Sequence, residues 1–136
     1  MKPELPKQLR KMVDKVLEGE IQISYASSEP YNAFVAEGDG VTAVSASGRV
    51  MVGCDAVKQA TVTVADGNTG ETGRFVEYIA GDATEDMMYA LFKTGVTISK
   101  SDGSASELCW VVTFVFRKME DGRWMLVHRH NTRSKP

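Results

Sequence analysis

The chain has 136 residues, 43% of them apolar and 25% charged, which suits one well-packed domain and excludes wholesale disorder. A formal net charge of −2 offers no concentrated positive surface for nucleic acid or an anionic membrane, because phosphate binding needs clustered cations. No run approaches the ~18 apolar residues of a membrane span, and the charged first twenty residues lack a signal-peptide core, so a cytoplasmic protein is expected.

Residues 4–22 predict a helix, since Leu9, Met12, Val13, Val16 and Leu17 recur at spacings of three and four and share one face. A second helix is expected from Ser28, a capping hydroxyl, with Pro30 in its first turn and Tyr31, Phe34 and Val35 facing inward. The run 41–46 reads as a strand stopped by Gly48. Residues 55–65 combine a helix start at Asp55 with a strand-like Thr61-Val62-Thr63-Val64, and the expectation is helix. Gly67 to Gly73 reads as a flexible loop.

The second half predicts strands over 74–80, 86–99, 107–119 and 123–132, joined by short polar turns as an antiparallel meander. Helices first and sheet afterwards is an α+β order. In the strand ELCWVVTFVF, Trp110, Val112, Phe114 and Phe116 share one face, and Val111, Thr113 and Val115 the other. Both faces are apolar, so both should be covered. Helices can cover only one of them in so short a chain.

The apolar strand, Glu120-Asp121-Gly122, and then Arg123-Trp124-Met125-Leu126-Val127-His128-Arg129-His130 resemble the closing hairpin of SnoaL-like, or nuclear-transport-factor-2-like, domains. Glu29-Pro30-Tyr31, Gly40-Val41-Thr42 and Gly53-Cys54-Asp55-Ala56-Val57 resemble the first half of the same family, in order, and the likeness runs from about Leu9 to Arg133. The resemblance implies one cone-shaped domain over residues 1–136, with N-terminal helices packed in a strongly curved, mostly antiparallel sheet of the cystatin-like kind. It implies an apolar cavity for a small ligand and a homodimer formed through the outer face of the sheet. The lining expected of that cavity is Tyr25, Tyr31, Phe34, Val57, Met88, Phe92, Thr94, Val111, Thr113 and Arg129. The kinase association domains of the superfamily are similar over the same hairpin. Their pocket arginines and histidine fall at Thr94, about Val111 and Val57, so a more apolar pocket is expected here.

In ketosteroid-isomerase-like members an Asp base and a later acid do the chemistry. The corresponding positions hold Ser45 and Val112 or Thr113, none of which can carry out proton abstraction near neutral pH. His128 and His130 remain as catalytic candidates: two apart, they share a strand face, and imidazole is the natural base near pH 7. They could face the cavity, but the preferred reading puts both on the outer face and leaves Val127, Arg129 and Asn131 inside. No third ligand is spaced to join them, although Glu85 or Asp86 could approach, so neither a metal nor a cofactor is expected. Cys54 and Cys109 form no metal-binding or redox motif. The function that follows is a small-molecule pocket protein, possible as an isomerase, cyclase, dehydratase or hydrolase. The alternative is a non-enzymatic dimerisation or interaction module.

Overall fold

The structure, a computed structural model, describes residues 6–25, 32–60 and 68–135. Its first described element is helix α1 (Lys7–Tyr25), whose Leu9, Met12, Val13, Val16 and Leu17 all lie in the core. The short strands β1 (Thr42–Val44) and β2 (Val50–Val52) form a hairpin, followed by helix α2 (Cys54–Ala60). Four longer strands complete the chain: β3 (Asn68–Ala83), β4 (Met87–Lys100), β5 (Ala105–Lys118) and β6 (Trp124–Ser134).

All six strands belong to one sheet in the order β2-β1-β6-β5-β4-β3. β3 to β6 are the expected antiparallel meander, and β1 returns to lie parallel to the last strand, with Thr42 opposite His128 and Val44 opposite His130. The sheet is curved and unclosed. Register shifts between Tyr78 and Ala80 on β3 and between Val115 and Phe116 on β5 mark irregularities of the kind that bend and twist strands.

The described helices lie on one face of the sheet. α1 packs mainly on β3 and partly on β4, while α2 packs on β1 and β2. On this inner face, cross-strand partners alternate in a regular way. Met88, Ala90 and Phe92 on β4 meet Phe116, Phe114 and Val112 on β5, and all six are buried. The rings of Phe92 and Phe114 stand edge to face with centroids 5.1 Å apart, and Phe114 and Phe116 do the same at 5.9 Å. Burying each such side chain contributes about 1.5–3 kcal/mol, so this aromatic row is a large part of the core that α1 shares. A polar tie adds to it: the Tyr78 hydroxyl donates to Asp14 Oδ1 at 3.0 Å, and the Arg10 guanidinium lies 5.2 Å from the Tyr78 ring centre.

Several expectations about elements are corrected. β2 was not anticipated, because three residues between Gly48 and Gly53 are too short to show a period. β3 starts at Asn68, so most of the segment expected to be a loop is strand; pairing with β4 outweighs its glycine-rich composition. Of the expected helix from Ser28, residues 28–31 lie outside the described residues, and the described remainder is corrected: a turn leads to Val35, which bridges to Leu126 of β6. Residues 61–65 of the expected helix 55–65, whose first part is α2, also lie outside the described residues.

Candidate functional site

The inner face does not remain apolar to its end. Alternation along β6 places Arg129, Asn131 and Arg133 on the side that faces the core, opposite Phe114, Val112 and Trp110 of β5. The Arg129 Nε and Nη2 groups both donate to Asn131 Oδ1, at 3.1 and 3.0 Å, and its guanidinium carbon stands 5.4 Å from the Phe114 ring centre. The Arg133 guanidinium carbon stands 5.7 Å from the Trp110 ring centre. Two cation–π stacks therefore line up along one strand pair with an amide between them. Such a row presents fixed N–H donors beside aromatic surface, which suits recognition of a ligand with a planar or apolar body and hydrogen-bond acceptors.

Thr94, on the same face of β4, is buried, and its hydroxyl donates to the Phe75 carbonyl at 2.8 Å. Its donor is thereby committed to the sheet. By register, β4, β5 and β6 place no Asp or Glu on this inner face among the described residues, and Asp14 of α1 reaches it through the Tyr78 hydroxyl.

The outer face carries a different set. Across the sheet, Val52, Thr42, His128, Val115 and Tyr89 form one row, and Val50, Val44, His130, Thr113 and Leu91 form the next. Thr42 Oγ1 lies 2.7 Å from His128 Nδ1. Burial, with the neighbouring charge of His130 second, lowers the His128 pKa, and a hydrogen bond to the Thr42 backbone opposes that only in part. Among the described residues, Val50, Val52, Phe75, Ile79, Met87 and Tyr89 are the exposed large hydrophobic side chains, and all six lie on the strands of this sheet. By alternation they project away from the helices.

No protein-family model matches the sequence, and no curated protein does. Solved structures do. A nuclear-transport-factor-2-like superfamily protein from Salmonella enterica superposes with a TM-score of 0.74 at 12% identity, over 96% of this chain and 91% of that one. This is the nuclear-transport-factor-2-like fold. A ketosteroid isomerase-like protein from Erwinia carotovora gives a TM-score of 0.72 at 14% identity, covering 93% of this chain and 94% of its own. The association domain of C. elegans calcium/calmodulin-dependent kinase II gives 0.63 at 18%, covering 92% and 95%.

Within the nuclear-transport-factor-2-like fold, the residues singled out in the sequence separate into three groups. Val57, Met88, Phe92 and Thr94 are buried, Phe34 packs against the same core, and Arg129 is on the inner face. Val111 and Thr113 are on the other face, the correction that a period of two requires once Val112 and Phe114 point inward. His128 and His130 accompany them, away from Arg129. Tyr31 and the side chain of Tyr25 lie outside the described residues.

Ser45, at the position of the isomerase base, is used in the β1–β2 turn: its hydroxyl accepts from the Arg49 N–H at 3.1 Å and contacts Ser47 Oγ at 2.8 Å. Sequence reasoning passed over Trp110 and Arg133 as pocket residues. The signal was present in the alternation, because Arg133 is four residues from Arg129 and Trp110 shares a face with Phe114. The inner face is consequently more basic than the apolar pocket expected.

A concavity of about 470 Å³ opens beside α2 and is lined by Glu37, Gly38, Asp39, Val52, Gly53, Cys54, Asp55, Ala56 and Lys58. Among the described residues, no three His, Cys, Asp or Glu side chains are grouped to hold a metal ion. Nor is any described helix long and apolar enough to cross a membrane.

Proposed function

We propose that this chain is a small-molecule-binding protein of the SnoaL-like type, with its ligand held against the inner face beside Trp110, Arg129, Asn131 and Arg133. The observation that carries this reading is the pair of arginine–aromatic stacks at the open margin of an otherwise apolar core face. The ligand has an apolar or planar body, which Trp110 contacts, and acceptor atoms that take the guanidinium and amide donors. With both histidines on the outer face and no carboxylate on the inner face of β4 to β6, binding is favoured over acid–base catalysis.

The test is native mass spectrometry of the purified protein, followed by titration of any extracted ligand against Trp fluorescence. Expected are a retained small molecule in the wild-type protein and at least tenfold weaker binding in Trp110→Ala and Arg133→Ala. Wild-type affinity in both variants would remove the site from this face.

A second reading concerns the outer face, which also serves as an association surface for a second copy of the chain. Its six exposed apolar side chains leave on the order of 500 Å² in water, taking roughly 150–250 Å² for a large side chain. With the half-buried Leu91, Val111 and Val115 among them, the face approaches the ~800 Å² per partner of an ordinary stable interface. The chain's described helices lie on the other side, so a second sheet is the natural cover. Solved structures of this fold include association domains, which supports the same reading.

A further inference from the structure

His128 and His130 stand in the middle of that outer face. Their cross-strand neighbours are Thr42 and Val44 on β1 and Val115 and Thr113 on β5. Val52 and Val50 follow on β2, and Tyr89 and Leu91 on β4. None of these eight residues carries a charge near neutral pH. Two adjacent imidazoles are therefore surrounded by apolar and hydroxyl side chains. Resting on the reading of this face as a contact between two copies, we propose that mild acid switches the association off, with His128 and His130 as the sensing pair.

At neutral pH both rings are uncharged and pack as flat, weakly polar groups. Each proton taken up places a cation in a contact whose other members are apolar, and such a charge must be solvated or the contact opened. Two protons per chain become four across a twofold interface, all of one sign. Burial, and then the neighbouring His130, already disfavour protonation of His128 in the single chain.

Charged groups elsewhere on the packed elements do not compensate. Arg117 on β5 and Lys93 on β4 are the nearest charges that the register brings to this face on those strands, and both are cationic; Glu77 on β3 stands opposite Lys93, three strands from β6 or about 14 Å. Arg49 precedes β2 and is exposed. Glu37, Asp39 and Asp55 gather with Lys58 beyond Val52, two strand spacings from His128, or about 10 Å. Asp82 lies three strands away on the other side, past Val115 and Tyr89. At such distances ordinary salt screens a carboxylate strongly.

Linkage fixes the sign. The associated form binds fewer protons than the separated chains, so association weakens as pH falls. His128 is already held below the ordinary imidazole value of 6.5 in the single chain. Its share of the loss therefore comes below that pH, approaching about tenfold per pH unit for each proton taken up.

The test is sedimentation velocity of the whole chain at pH 8, 7, 6 and 5, with far-UV circular dichroism at each pH to confirm that the chain stays folded. The variants are His130→Gln and His128→Gln/His130→Gln. Expected is a wild-type dimer at pH 8 that becomes a folded monomer by pH 5, while the double variant stays dimeric at pH 5. The single variant, which leaves the Thr42–His128 contact in place, shows an intermediate midpoint and covers the case in which the double variant does not fold. A wild-type dimer that persists at pH 5 overturns the switch and leaves the interface standing. Dissociation of both variants at the wild-type pH overturns the histidines as sensors. A wild-type monomer at every pH removes the interface itself, and the switch with it.

Discussion

A Cβ on Gly95 would run into the Phe75 ring and stand 2.9 Å from the Cys109 sulfur, so this point of β4 has room for a hydrogen and nothing larger. Phe75 closes over the gap that the glycine leaves, one of the few places where the outer face carries its own cover. Gly95→Ala should displace that ring and destabilise the chain by about 1–3 kcal/mol, the usual cost of overpacking, read as a lower urea midpoint. Tyr78 makes a different prediction. Burial, and then the hydrogen bond to Asp14, push its phenol up to about 12. The neutral phenol is the form that the folded chain favours, so its contribution is complete below pH 10 and is lost between pH 10 and 12. Tyr78→Phe should cost about 0.5–1.5 kcal/mol at pH 8 and progressively less toward pH 12, as shown by urea titrations of both proteins across that range.

β5 was the most legible element in the sequence. Its alternation names two apolar faces without reference to anything else, and both sets are as expected. What alternation leaves open is the phase: which set lies under the helix. Val111 and Thr113 were expected in the pocket and lie outside it, because the bulkier set of Trp110, Val112, Phe114 and Phe116 fills the space below α1 and α2. Side-chain volume was the available signal, since the face that must fill a core takes the larger rings. Phe114→Ala should therefore cost about 3–5 kcal/mol, as a buried ring removed from contact with Phe92, Phe116 and Arg129. Val115→Ala, on the other face of the same strand, should cost far less in the monomer; thermal melts of the two variants compare the faces directly. β2 and the start of β3 were illegible for a different reason. Three residues carry no period, and Gly70 and Gly73 signal a loop locally while β4 offers partners as far back as Asn68.

Over the whole molecule, order along the chain was enough for the α+β class and the single curved sheet, since four strands joined by tight turns leave little choice of neighbours. The candidate site was less legible, because it depends on which residues converge from β5 and β6. Arg133 looks in sequence like one more solvated terminal cation, and becomes a site residue only when β6 pairs with β5 and sets it over Trp110. One sheet thus separates two chemistries: aromatic rings and guanidinium donors beneath, imidazoles and aliphatic side chains above. A residue step of one along β6, from Arg129 to His130, crosses from the proposed ligand side to the proposed partner side.

The parallel pairing of β1 with β6 joins a segment near residue 43 to one near residue 129. During synthesis the β1–β2 hairpin leaves the ribosome long before the strand that must receive it. Until then its backbone donors and acceptors on that edge have only water as a partner, and the meander cannot supply them. The hairpin is consequently a waiting piece, docked at the end, and the step that completes the sheet is also the one that positions Thr42 against His128.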